Sequence, residues 1–231
     1  MTITLGIDTS AFVAVGVAVD GEARARVVVA DTRAHAEALM PSVLQACAEA
    51  GVGLREVDEF VVGMGPGPFT GLRVGIATAW TLAHAAGMTP HGVCSLDVVA
   101  RQWADEGADG EFLVAADARR KELYWRRYLP DGTPAGDPQV SAPDHLPGLE
   151  IVGTMPDIPL VEPVPSAKRR DRVETNEPGH RHRPLPFDPG VLAAKWRTLE
   201  PAGDEPYYLR AADATVPGKP KSALPRLRAA R

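Results

Sequence analysis

Cysteine is nearly absent from this chain: Cys47 and Cys94 are the only two in 231 residues, and both sit in apolar patterns. A disulfide framework is thereby excluded, and two buried thiols fit a reducing compartment. No unbroken apolar run is long enough to span a bilayer. The N-terminal MTITLGIDTS carries neither a basic leader nor a small-residue cleavage site, so a cytoplasmic chain without membrane contact is expected. Gly-Gly dipeptides are missing altogether. So is any glycine-rich loop followed by Lys and then Ser or Thr, which rules out a Walker A loop and its phosphate-binding lysine. Metal ligation also lacks its pattern. His35 has Leu39 where a second ligand would stand one helical turn on, His84 and His91 stand apart, and His180 and His182 fall in a polar segment. No Ser-His-Asp order can be singled out, so neither a catalytic residue nor a metal site is expected.

What is present describes an ordinary soluble chain. Hydrophobic residues make up 45% and charged residues 24%, enough for one large domain or two lobes with real cores. The net charge of −5 is unevenly spread. Residues 216–231 hold Lys219, Lys221, Arg226, Arg228 and Arg231 without an acid, leaving about −10 on the remainder. Such a tail can touch RNA phosphates or simply be a solvated terminus.

Residues 3–8, 11–19 and 22–30 read as three strands, the last two joined at Asp20-Gly21, a strong hairpin dipeptide. A helix is expected over 35–50, a strand over 59–62, a second helix over 70–86 and a strand over 90–94. Ser95 is placed to cap a third helix. LGIDTSAFVAVGVAVDG (5–21) and LVAADARRKELYWRRYLPDG (113–132) then share a plan: an apolar strand ending in Asp8 or Asp117, a tight turn, a second strand and an Asp-Gly turn. This repeat points to two lobes founded on one unit. Prolines crowd residues 131–190, and 162–186 reads as a mobile loop. A short helix over 188–196 and a strand-like piece at 206–210 follow.

The stretch GMGPGPFTGLRVG (63–75) has the look of a phosphate cradle. Pro66 and Pro68 have no N–H to give an anion, which leaves Gly65, Gly67, Phe69 and a helix start where Thr70 can cap. A rigid strand-to-helix corner built on Gly65, Gly67, Thr70 and Gly71 accounts for it without a ligand. The helix it launches is apolar nearly all round, as is the helix at 36–50. One sheet covers one side of each, so either the helices cover each other or a protein partner covers the rest.

Taken together, DTS (8–10), HAEALMP (35–41), GxGPGxFTGLR (63–73), GVCSL (92–96), DARRKELY (117–124) and PxYLR (206–210) resemble the TsaB (YeaZ) family of bacterial tRNA-modification proteins. The likeness covers the first 130 residues and then 186–210; nothing carries over for 140–186. It implies an α/β, two-lobed, actin-like (ASKHA, ribonuclease H-like) fold, each lobe a mixed sheet with flanking helices. The expected parts are an N-terminal lobe at 1–107, a second lobe at 108–213 and a basic tail at 214–231. It also implies a non-catalytic scaffold in the complex that transfers a threonylcarbamoyl group to the anticodon-adjacent adenosine of tRNA. In that complex the chain pairs with TsaD, TsaE joins, and ATP and metal sit on the partners rather than here. Without TsaD, a homodimer is expected. The docking face is expected at His35, Leu39, Met40, Val43, Leu72, Arg73, Ile76, Ala79, Trp80 and Ala83, and a vestigial phosphate site at Asp8, Thr9, Ser10 and Asp117. The competing readings are a phosphate-binding kinase or carbamoyltransferase built on Asp8 and Asp117, and, behind it, a metallopeptidase.

Overall fold

The computed structural model describes residues 1–30, 35–154 and 182–210. Calls on residues 31–34, 155–181 and 211–231 lie outside it, including His180, most of the expected loop and the basic residues from Lys219 to Arg231.

Two five-stranded sheets organise the described residues. In the first, β1 (Ile3–Asp8), β2 (Val13–Val19) and β3 (Glu22–Val29) form an antiparallel meander. Asp20 and Gly21 turn the second hairpin at φ of 51° and 77°, the left-handed pair that an Asp-Gly turn supplies. Two further strands, β4 (Glu59–Gly63) and β5 (His91–Val93), extend the sheet in parallel with β1. The second sheet repeats this scheme. Its antiparallel meander is β6 (Phe112–Asp117), β7 (Leu123–Tyr128) and β8 (Gln139–Ser141), and β9 (Glu150–Gly153) and β10 (His182–Pro184) add in parallel. The orders β3-β2-β1-β4-β5 and β8-β7-β6-β9-β10 are the same plan, so the repeat read around Asp8 and Asp117 is architectural. The fold is the α/β, two-lobed actin-like one.

Helices α1 (His35–Ala50) and α2 (Phe69–Ala85) cover one face of the first sheet, packing Leu39, Val43, Ala79 and Ala83 on Ile3, Leu5 and Ile7. Helix α3 (Ser95–Glu106) sets Leu96, Val99, Ala100 and Trp103 against Phe112, Val114 and Tyr128 of the second sheet. The last described helix, α4 (Pro189–Lys195), returns to the first lobe and covers its other face. There a Cβ on Gly16 would stand 1.9 Å from the Pro189 carbonyl oxygen, so that glycine lets α4 lie directly on β2. The strands thus divide between β5 and β6, while α4 crosses back to the first sheet.

Several local expectations are corrected. Leu39, Val43, Leu72, Ala79 and Ala83 are all buried in this chain's own core, because the apolar breadth of α1 and α2 is used by the sheet beneath and by each other. They cannot line a free docking face. Thr70 and Ser95 do not cap: the residues before α2 and α3 are Pro68 and Cys94, and neither helix has a side-chain cap. His182–Pro184, placed in the loop by its polarity, is a strand held by β9. Residues 206–210 form no strand, although Tyr207 N–H donates to the Met64 carbonyl.

Candidate functional site

A cleft of about 260 Å³ lies between the sheets, where the equivalent strands β1 and β6 end in Asp8 and Asp117. Ser10, Phe12, Pro66 and Pro68 line it from one lobe, and Val114, Ala116, Arg119, Tyr124 and Phe187 from the other. The walls are mostly apolar.

Asp8 is 2% exposed and its carboxylate is fully engaged. Oδ1 accepts from Ser10 N–H at 2.8 Å and Ser10 Oγ–H at 2.6 Å, while Oδ2 accepts from Ser95 Oγ–H at 2.5 Å. Burial raises its pKa above the ordinary aspartate value, with the serine hydrogen bonds opposing. Both oxygens serve the fold, leaving little to offer a metal or a phosphate-bound water. Ser95 is the residue that sequence reasoning misplaced: it starts α3 and ties Asp8 to the Gly65 N–H, which donates to its Oγ. Asp117 is exposed, and its Oδ1 accepts from the Arg119 N–H at 2.6 Å. Structure therefore places the two aspartates on one cleft in unequal states.

Thr9 explains the glycine-rich stretch. Its Oγ1 donates to the Gly71 carbonyl at 2.8 Å and accepts from the Gly75 N–H at 3.1 Å, pinning the first turns of α2 to the β1–β2 turn. A Cβ on Gly75 would lie 2.2 Å from Thr9 Oγ1, and one on Gly67 would lie 2.5 Å from the Ser10 carbonyl oxygen. Glycine is needed because this chain's own Thr9 and Ser10 lie directly against the corner. Gly65, at φ 89°, makes the reversal that feeds the corner. Met64 and Val93, at the base of the corner, are joined by a backbone hydrogen bond.

The segment 206–210 links the two lobes. Tyr208 packs on Phe69 with ring centroids 4.9 Å apart, and the Arg73 guanidinium lies 3.6 Å over the Phe69 ring. At its far end Arg210 donates to the Ala118 carbonyl at 2.6 Å and pairs with Glu122 in the second lobe. Behind the cleft sits a buried ionic group missed in the sequence. Arg126 on β7 makes two bonds to Asp97 at 2.9 and 3.0 Å, one to the Gly136 carbonyl and one to Glu200. Tyr128 also donates to Asp97 at 2.6 Å. Burial raises the Asp97 carboxyl, opposed by Arg126 and Tyr128, and pushes the Tyr128 phenol well up. An arginine inside the strand LYWRRY, where neighbours are buried, was the available signal. Among the described residues no three His, Cys, Asp or Glu side chains are grouped to hold a metal. No described helix is long and apolar enough to cross a membrane.

The family described as TsaD, tRNA N6-adenosine threonylcarbamoyltransferase, matches residues 27–172. Escherichia coli TsaB is 37% identical over 100 residues, covering 43% of this chain and 43% of that protein. An uncharacterized Mycobacterium leprae protein is 45% identical over 177 residues, 71% of this chain and 48% of its own length. A Pseudomonas aeruginosa crystal structure, described as similar to the peptidase YeaZ, superposes with a TM-score of 0.67 at 27% identity, covering 91% of this chain and all of that one. The chain belongs to the TsaD family, on its TsaB (YeaZ) branch. It spans about half the length of these two sequence relatives.

Within this TsaB-type frame, the expected docking residues separate by exposure. Trp80 is 45% exposed and Arg73 is exposed, while His35, Met40 and Ile76 are half-buried. Leu44, 55% exposed on α1, and Ala77, exposed on α2, lie outside the expected set. The Nε2 of His35 is buried without a hydrogen-bond partner beside the start of α2.

Proposed function

We propose that this chain is a non-catalytic scaffold subunit of the complex that transfers a threonylcarbamoyl group to the anticodon-adjacent adenosine of tRNAs reading ANN codons. It acts by pairing with TsaD through the outer faces of α1 and α2. ATP and metal are held by the partner subunits. The observation that carries this reading is the state of the cleft. Asp8 is closed off by Ser10 and Ser95, and the glycine corner packs directly on the chain's own Thr9 and Ser10, so the carboxylate and the corner are engaged within the chain, which supports a scaffold rather than a catalytic role. Exposed Leu44 and Trp80 on neighbouring helices are the kind of apolar surface that a partner covers.

Co-purification with the cognate TsaD, followed by reconstitution of tRNA modification, tests the proposal. Leu44→Arg and Ala77→Arg are expected to leave the chain folded and to abolish both pairing and modification. Undiminished pairing of both folded variants would rule out the α1/α2 face. Tight Mg-ATP binding by the isolated chain, measured calorimetrically, would instead favour the phosphate-binding enzyme.

A further inference from the structure

The exposed residues of α2 fall on one stripe. Arg73, Ala77, Trp80 and His84 are open to solvent at spacings of four, three and four, while Leu72, Ala79 and Ala83 are buried. Arg73 therefore stands at the N-terminal end of the surface that carries Ala77 and Trp80. Its side chain is already ordered within this chain. The guanidinium lies 3.6 Å over the Phe69 ring and 5.9 Å from the centre of the Tyr208 ring, and Nε donates to the Tyr208 hydroxyl at 3.4 Å. Tyr208 is itself held in place, by its ring against Phe69 and by the hydrogen bond from the neighbouring Tyr207 N–H to the Met64 carbonyl.

What Arg73 lacks is an acid. Arg26, Arg101, Arg126, Arg127, Arg197 and Arg210 each pair with a carboxylate of this chain. Among the described residues no acid pairs with Arg73, and the first turn of α2 contains none. A guanidinium laid flat on a ring, with Nε turned to a phenol, presents its two Nη groups edge-on, the geometry that matches a carboxylate bidentately. The rings have already restricted the long side chain, so less freedom is lost when a partner binds. Arginine and tyrosine are the residue types that dominate interface energetics for this reason among others. A lone guanidinium closing a stripe of Ala77 and Trp80 suits one acidic side chain of a protein; an RNA backbone would call for several cations together.

We propose that Arg73, held by Phe69 and Tyr208, receives a carboxylate of TsaD and is the charged anchor of the docking face. The inference rests on the scaffold reading above and adds the chemistry by which that face recognises its partner.

Calorimetric titration of the full chain with the cognate TsaD is the test, with dissociation rates followed on an immobilised partner. Arg73→Met keeps an unbranched apolar chain on Phe69 and is expected to weaken pairing about thirty-fold, mainly through faster dissociation. Arg73→Lys restores the charge without the planar fork and should recover little of that loss. Tyr208→Phe keeps the ring and should pair nearly as the parent does. Arg73 is exposed, so thermal melting should show its variants folded. Unchanged affinity in Arg73→Met overturns the proposal. Normal pairing of that variant together with weaker tRNA binding by the assembled complex also overturns it, by assigning the guanidinium to a phosphate. If Leu44→Arg and Ala77→Arg abolish pairing while Arg73→Met does not, this inference fails and the docking face stands. If none of the three weakens pairing, the docking face itself is wrong.

Discussion

At the scale of single residues, Asp8 separates a working carboxylate from a structural one. Its pKa is raised in the folded chain, so protonation favours folding; that contribution is complete below the ordinary value of 3.8 and is lost as pH rises through the folded value. Asparagine is neutral at every pH. Asp8→Asn is therefore expected to differ least from the parent near pH 3.5 and to gain on it as pH rises through the folded value of Asp8, as read by urea denaturation at pH 3.5 and pH 8. It should also support tRNA modification in the reconstituted complex, whereas an enzyme built on Asp8 would lose activity. Thr9 gives a second case. Gly75→Ala drives a methyl onto Thr9 Oγ1 and should cost about 1–3 kcal/mol, seen as a lower urea midpoint without a change of slope. The glycines of GMGPGPFTGLRVG were legible as a special backbone. Their reason was not, because the group they accommodate lies some sixty residues earlier, at Thr9 and Ser10.

Elements tell a similar story of local success and tertiary surprise. The strand ending at Asp8 and the helix from His35 to Ala50 follow from alternation and from three- and four-residue spacing, and the structure gives those bounds. Which side of a helix faces inward was harder to read in α2, where apolar residues run almost all round. Ala79 and Ala83 look like a docking surface in sequence and are fully buried in fact. Ala79→Arg should thus unfold the first lobe, while Ala77→Arg two positions away leaves the melting temperature close to the parent's. Short β8 and β9, set among prolines and only three and four residues long, left no periodic signal. In α3 the decisive contact is ionic. Removing Arg126 leaves Asp97 buried without its cation, held by Tyr128 and the Cys94 thiol; Arg126→Met should cost about 3–5 kcal/mol, a loss of order 10 °C in melting temperature. Glu200 is 57% exposed at its side chain, and Glu200→Gln should cost less than about 1 kcal/mol.

For the molecule as a whole, duplication is the plainest message, and the Asp8 and Asp117 strands announced it before any fold was known. What they could not announce is how the halves are tied. Arg26 pairs with Asp188, the Asp188 N–H donates to Gln102, and residues 206–210 reach from Met64 and Phe69 to Ala118 and Glu122. Contacts of this kind join positions up to 162 residues apart, beyond the reach of any local pattern.

The return of α4 to the first sheet also sets a timetable for synthesis. As the chain leaves the ribosome, β1 to β5 emerge with α1 and α2, yet the face that carries Gly6, Gly16 and Val61 stays bare until Leu192 arrives. At ordinary elongation rates that interval is on the order of ten seconds, during which an apolar sheet face is open to aggregation or to chaperones. Premature termination anywhere before α4 should therefore yield insoluble product, even when all five strands of the first sheet are present. Residues 1–107 expressed alone are expected in the pellet, and co-expression of residues 182–210 should shift them towards the soluble fraction. A nascent chain of this design is committed to its fold only once α4 has emerged.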